Sequence, residues 1–297
     1  MNILRRILSA SLAIVLVAVA AAPLRGGGQG EHVAVLYATD GLQLYTITPH
    51  NGELNLLGTL KADGPPLTEA LPLVSMVYDG QMQRLYLNAI YFNSYDYSSQ
   101  DILYRIAPGT LEITNGLGAW GGLLDGPPCA LSYDWKNSRL CTSRTSSGTW
   151  TPVLSINPIT GEQTTVTSGR NISGWPRQSP FFDADGHFWM FQQNDAFAVL
   201  REFSLAGEGQ ILSVLNGTVY DGNYFDGTWP RYQSFSFDQR TGALWATFVR
   251  TDNGYLWGDY YTHLCTVDLK TGQPKKIIAA YPSPNVSLKI AWGLGGY

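Results

Sequence analysis

The strongest constraint on this chain is that it repeats. An apolar strand, a turn rich in Gly, Pro, Asn or Thr, and a second short strand recur five times: LYTITPHNGELNLLG from Leu44, LYRIAPGTLEITNGLG from Leu103, LSINPITGEQTTVTSG from Leu154, LREFSLAGEGQILSVLNG from Leu200 and LCTVDLKTGQPKKII from Leu264. Apolar and polar positions alternate on both sides of each turn, which predicts antiparallel hairpins with one better-buried face. Four of the five follow a second pattern, a strand ending in aspartate, a turn, and a strand rich in aromatic and aliphatic residues: SMVYDGQMQRLYLNAI, ALSYDWKNSRLCTS, FFDADGHFWMFQ and SFSFDQRTGALWATF. Together the patterns make four-stranded units starting near Val74, Ala130, Phe181 and Phe235, at intervals of 56, 51 and 54 residues. Units of this size bury their apolar faces only by stacking on one another.

The first hairpin has no complete inner pair before it. From residue 32 the chain supplies only VAVLYAT, GLQLYTIT and ELNLLG, whereas the C-terminus holds an orphan strand, VSLKIAWGL, at 286–294. The two ends complete one unit, with 286–294 as the innermost strand of the blade that contains 32–60, and this removes an open sheet edge. The pattern resembles the β-propeller superfamily, of the extracellular repeat-blade type, over residues 32–297, where turns such as DLKTG at 268–272 join the outer strands. The resemblance implies an all-β, five-bladed β-propeller of four-stranded antiparallel blades, closed by the C-terminal strand joining the N-terminal blade. It carries no family-level function, because such turns recur across propellers of unrelated activity. Asp252-Asn-Gly254 with Trp257 shares part of a sialidase Asp box but lacks its leading Ser and stands in a different loop.

Composition agrees with many short strands: among 297 residues there are 32 glycines, 16 prolines and 17 tyrosines, and 44% are hydrophobic. A net charge of -4 and a pI near 5.5 leave no basic surface for phosphates, which argues against nucleic acid and anionic membranes as partners. Arg5 and Arg6 precede an apolar run and small residues, so 1–22 reads as a signal peptide and 23–31 as a Gly-rich linker before a single domain at 32–297. The alternative is an N-terminal membrane anchor. The expected location is secreted or extracellular, periplasmic in a bacterial source, and Asn171, Asn216 and Asn285 stand in glycosylation sequons. Cys129 and Cys141 flank a hairpin with an offset of about two residues from directly opposed positions, which leaves them open as bridged or free. Cys265 reads as a small buried residue.

The recurrent Asp79, Asp134, Asp183 and Asp238 suggest either an axial ring of carboxylates or turn residues whose short side chains accept following backbone amides, and the turn position favours the second. The innermost-to-second turns and the outer hairpin turns share one face and are short. The opposite face carries long aromatic loops with Tyr95, Trp120, Trp150 and Trp257. Binding sites occupy the elaborated face of such rings, and flat rings beside Asn, Asp and Gly stack on sugars or anchor proteins. Trp-Pro-Arg occurs twice just ahead of an innermost strand, at Trp175 to Arg177 and Trp229 to Arg231. Two guanidiniums at one channel mouth suit a carboxylate, sulfate or acidic sugar; the competing role is wedging blades and binding carbonyls. The sequence presents no catalytic set, cofactor motif or metal spacing: His32, His50, His187 and His263 are dispersed. The expected function is non-catalytic recognition of a carbohydrate or an extracellular protein. The alternative is a polysaccharide hydrolase or lyase using Asp96, Asp101, Asp195, Asp252 or Asp259 on the same face.

Overall fold

The computed structural model describes residues 33–62, 64–92, 99–117, 128–144, 153–167, 180–193, 198–203, 205, 211–215, 231–251, 260–269, 274–282 and 288–295. In chain order the strands are β1 (Val33–Thr39), β2 (Gln43–Ile47), β3 (Leu54–Thr59) and β4 (Lys61–Ala62). Then come β5 (Leu73–Asp79), β6 (Arg84–Phe92), β7 (Ser99–Ile106) and β8 (Glu112–Leu117), followed by β9 (Pro128–Asp134), β10 (Arg139–Arg144), β11 (Val153–Ile156) and β12 (Gln163–Thr167). The last three groups are β13 (Phe181–Phe182), β14 (Phe188–Gln193), β15 (Ala198–Phe203) and β16 (Ile211–Leu215); β17 (Arg231–Asp238), β18 (Ala243–Thr251), β19 (Tyr260–Val267) and β20 (Pro274–Pro282); and β21 (Lys289–Gly295). The described residues contain no helix, and so none that is long and apolar enough to cross a membrane.

These strands form five sheets, ordered β21-β1-β2-β3, β5-β6-β7-β8-β4, β9-β10-β11-β12, β13-β14-β15-β16 and β17-β18-β19-β20. The innermost strands touch in a cycle, β21 to β5, β5 to β9, β9 to β13, β13 to β17 and β17 to β21, so the blades close into the expected ring. Closure is made as the termini imply: β21 pairs antiparallel with β1 from Val33↔Gly295 to Thr39↔Lys289. One blade departs from four strands. After β3 the chain runs along the outer edge of the second blade, where β4 adds in parallel to β8 through Lys61↔Glu112 and Ala62↔Ile113.

The core lies between blades, with one cluster of buried side chains at each of the five junctions. Tyr37 and Leu44 meet Met76 and Leu85 between the first and second blades. Tyr86 and Leu103 meet Leu131 and Leu140 at the next junction, and Cys141 and Val153 meet Phe182 and Phe203 after that. Phe181 and Trp189 pack on Phe235 and Phe248, and Trp245 and Leu264 pack on Leu36 and Trp292 to complete the circle. Both faces of each sheet are therefore covered, and each buried aliphatic or aromatic side chain contributes about 1.5–3 kcal/mol. Cys265 is buried at the fourth junction, and burial pushes its thiol up to about 12. Cys141 is a free, buried thiol whose backbone is opposed to Ser132 and Ser155 rather than to Cys129.

Candidate functional site

The inner wall of the ring is built from the ends of β5, β9, β13, β17 and β21. Each turn aspartate at the lower end is committed to its own turn. Asp79 Oδ1 accepts the amides of Gln81 at 2.8 Å and Met82 at 3.1 Å. Asp134 accepts from Asn137 N, from Asn137 Nδ2 at 2.7 Å and from Arg139 Nε at 2.8 Å. Asp238 accepts Arg240 N at 2.8 Å and the Thr241 hydroxyl at 2.6 Å. These carboxylates brace turns and leave no axial ring of free charge.

Asp183 is the most heavily used of the four. Its Oδ1 accepts Asp185 N at 3.0 Å and His187 N at 2.9 Å, and its Oδ2 accepts Trp189 Nε1 at 2.9 Å and lies 3.2 Å from His187 Nδ1. Ligand-type atoms of Asp183, Asp185 and His187 all fall within 4.8 Å of one another, a grouping the dispersed histidines did not suggest. With four contacts on the Asp183 carboxylate, the group serves as a turn brace. His50 lies exposed in the β2–β3 turn, and His263 stacks on Phe248 with centroids 4.9 Å apart.

Bonds between neighbouring innermost strands set their register. Leu131 N donates to Ser75 Oγ at 2.8 Å, and Ile290 N donates to Ser234 Oγ at 3.0 Å. Ser75 and Ser234 each stand four residues before a turn aspartate, so Ile290 occupies the place of Leu131, and Trp292 that of Tyr133. One aromatic layer results, formed by Tyr78, Tyr133, Phe182, Phe237 and Trp292, all of which line an axial cavity. The cavity is small, with about 30 Å³ open to a water-sized guest, and the next row of its wall includes Val77, Ser132, Phe181 and Ser236. Burial first, and then the nearby Asp79 charge, push the Tyr133 hydroxyl well above the usual phenol range.

Trp135 covers the lower side of this layer. Its ring stacks on Tyr78 at 6.4 Å and meets Tyr133 and Trp292 edge-on at 5.0 and 5.1 Å. It rests on Gly80, where an added Cβ would come within 2.1 Å of the indole. The lower turns are tied together by Lys136 Nζ donating to Asp185 O at 2.7 Å and by Tyr78 Oη donating to Leu294 O at 2.7 Å.

At the upper side, the β1–β2 turn is capped by Asp40, whose Oδ1 accepts Leu42 N at 2.8 Å and Gln43 N at 2.7 Å. The connection after β3 packs over it: Leu71 N donates to Gly41 O at 3.0 Å, and a Cβ on Gly41 would lie 2.5 Å from Leu71 O. Gly41 also has φ +90°, a conformation natural only to glycine. Lys289 opens β21 opposite Thr39 at this end, is 8% exposed, and is lowered by burial to about 8.

Of the residues expected to bind ligand, Tyr95, Trp120, Trp150, Trp175, Arg177, Trp229 and Trp257 lie outside the described residues. Arg231 begins β17 at its upper end, with its main chain opposite Val249. Among the candidate carboxylates, Asp101 lies in β7 opposite Ile90, and Asp96, Asp195, Asp252 and Asp259 lie outside the described residues, as do His32 and the segment 1–31. The aromatic layer and Trp135 were not singled out from the sequence. Their signal was the recurring Tyr-Asp, Tyr-Asp, Phe-Asp and Phe-Asp pairs at the ends of the innermost strands.

No family model matches this sequence, and no curated protein is detectably related to it by sequence. Solved structures share its fold. An exo-beta-1,3-galactanase from Phanerochaete chrysosporium, solved with beta-1,3-galactotriose, aligns with a TM-score of 0.54 at 11% identity, over 84% of this chain and 60% of that one. A GH43 beta-1,3-galactosidase aligns with a TM-score of 0.53 at 10% identity, over 89% of this chain and 57% of its own. The chain thus spans under two thirds of either protein. At such identities the likeness concerns fold alone, and with the closed cycle of blades it makes this chain a five-bladed β-propeller.

Proposed function

We propose that this protein is a carbohydrate-active propeller that binds a glycan on the upper face of its ring and hydrolyses it. The observation that carries the reading is Trp135, which packs beneath the aromatic layer on the lower side, so a ligand on the axis would approach from the opposite face. The sequence assigns to that face the long aromatic loops and both Trp-Pro-Arg strings. Trp120, Trp150, Trp175, Trp229, Trp257 and Tyr95 would supply stacking surfaces, and Arg177 and Arg231 would hold a charged substituent by bidentate hydrogen bonds. Two of Asp96, Asp101, Asp195, Asp252 and Asp259 would act as general acid and as base or nucleophile. The galactan-acting names of both propellers aligned above make β-1,3-linked galactose the first substrate to assay.

A second reading, recognition without turnover, draws on a different observation: the four turn carboxylates of the inner wall are consumed by backbone and side-chain donors. Incubation with β-1,3-galactotriose and a panel of acidic and neutral glycans separates the two, with Asn replacing each candidate Asp in turn. The hydrolase reading expects product release that falls at least a hundredfold in two of the variants. Saturable glycan binding without product supports recognition, and neither binding nor product refutes both. We also propose secretion with removal of residues 1–22, which N-terminal sequencing of the exported protein tests.

A further inference from the structure

We infer that Asp40, Gln43 and Tyr45 form a sugar-hydroxyl subsite on the upper face of the first blade, with Asp40 Oδ2 accepting from one hydroxyl and Gln43 Nε2 donating to its neighbour. This deepens the glycan reading above and rests on it. The turn between β1 and β2 holds itself with only part of its polar groups. Asp40 Oδ1 takes both turn amides, Leu42 N and Gln43 N. Thr39 Oγ1 accepts Gly41 N at 3.0 Å and donates to Gln43 O at 2.7 Å. The groups these bonds leave over meet at one phenol. Tyr45 Oη donates to Gln43 Oε1 and stands 3.4 Å from Asp40 Oδ2, and burial, then the Asp40 charge, push it up to about 12, so it keeps its single proton at neutral pH. Two acceptors therefore face one donor, and Asp40 Oδ2 keeps lone pairs for a guest. The Gln43 amide nitrogen has no hydrogen-bond partner among the described residues and keeps both its protons to donate.

The three residues are half-buried, joined through one phenol oxygen, and none of their side-chain atoms is sealed away without a partner, so a ligand can reach them together. They are also held in place before it arrives. The Tyr45 ring packs on the core between the fifth and first blades, and Leu71 N donates to Gly41 O across the turn. Adjacent hydroxyls of a sugar offer a proton and a lone pair side by side, which is the complement of a carboxylate oxygen beside an amide N–H. The bond to the carboxylate is charge-assisted and the stronger of the two. The same carboxylate repels an anionic substituent, so the subsite takes neutral hydroxyls.

The experiment uses the whole chain and β-1,3-galactotriose. Asp40→Asn keeps Oδ1 on the turn amides while exchanging the anionic acceptor for a donor, and Gln43→Glu keeps Oε1 for the phenol while replacing the amide N–H by a second anion. Each variant should melt like the native protein and bind the triose about tenfold more weakly through loss of one hydrogen bond. In the native protein the side-chain ¹⁵N–H signals of Gln43, assigned through Gln43→Glu, should shift saturably with the triose, and this readout decides where a variant fails to fold. Unchanged affinity in either folded variant, or triose binding that leaves the Gln43 signals unmoved, overturns the subsite and leaves the glycan reading intact. Absence of triose binding overturns it as well, and the other glycans of the panel then decide whether the broader reading falls with it.

Discussion

Lys289 tests the burial of the closing strand directly. Burial lowers its ammonium from an ordinary 10.5 to about 8. Between those values the unfolded chain keeps the proton that the native chain has released, so stability rises with pH across that window and is lowest below it. At about 1.4 kcal/mol per tenfold change in proton affinity, the full penalty below pH 8 is about 3 kcal/mol. This is a ceiling, because Lys289 has contacts that a replacement would lose. Cys141 and Cys265 act in the opposite sense: burial raises both from 9.0 to about 12, so the unfolded chain loses their protons first and stability falls above about pH 9. The native profile mixes the two effects, and comparison with Lys289→Met separates them. At pH 7 the variant should be the more stable protein, by up to about 3 kcal/mol. From pH 7 to pH 9 the native chain should recover about 1 kcal/mol relative to it. Urea unfolding of both proteins at pH 7, 8 and 9 and constant ionic strength measures this difference. Two pH profiles that run parallel from 7 to 9 would refute a buried ammonium at the head of β21.

Replacing both Ser234 and Ser236 by Ala should cost about 1–3 kcal/mol and speed amide exchange at Ile290 and Trp292 above all; exchange altered equally everywhere would contradict the bonds assigned to them. Gly80→Ala should displace Trp135, costing about 1–3 kcal/mol through overpacking and changing the near-ultraviolet circular dichroism. An unchanged spectrum would show that the indole does not rest there. Deleting 286–297 should expose the edge of β1 and yield an unfolded or self-associating protein, whereas a monomer with unaltered melting would disprove closure by β21. Arg177→Ala with Arg231→Ala should weaken binding of acidic glycans while changing stability by less than about 0.5 kcal/mol; an unfolded double variant would instead assign the pair to blade wedging.

Much of the ring was legible because its signals are local. Period-two alternation marks strands, and Asp at the end of an innermost strand marks the turn it caps, so Asp79, Asp134, Asp183 and Asp238 carried both the repeat and its null carboxylate chemistry. The orphan strand at the C-terminus followed by counting. What alternation could not show is burial on both sides. In VSLKIAWGL the lysine reads as the polar face of a half-exposed strand, yet innermost strands lie between two blades, and Lys289 is buried with its neighbours Leu288 and Ile290. The two residues of β4 hold no pattern long enough to read, and their pairing with β8 depends on where the crossing chain passes. The candidate loops offered composition but no spacing, because residues some 50 positions apart meet only through the ring.

The serines of the innermost strands show how this ring resolves a problem of its topology. Adjacent innermost strands belong to different sheets, so no ladder joins them, and a polar side chain must supply the link. Ser75 does so between the second and third blades. The junction between the fifth and first blades has more: Ser234 both accepts from Ile290 N and donates to Ile290 O, Ser236 accepts from Trp292 N, and the Thr247 hydroxyl donates to Leu288 O at 2.9 Å. That is the strand the chain adds last, which no covalent turn connects to its own blade. β21 is therefore fastened on two sides, by the backbone ladder to β1 and by the side chains of the fifth blade. Trp292 lies where both meet, so the strand that closes the ring also sets a wall of the axial cavity, and loosening the closure should be read first at that indole.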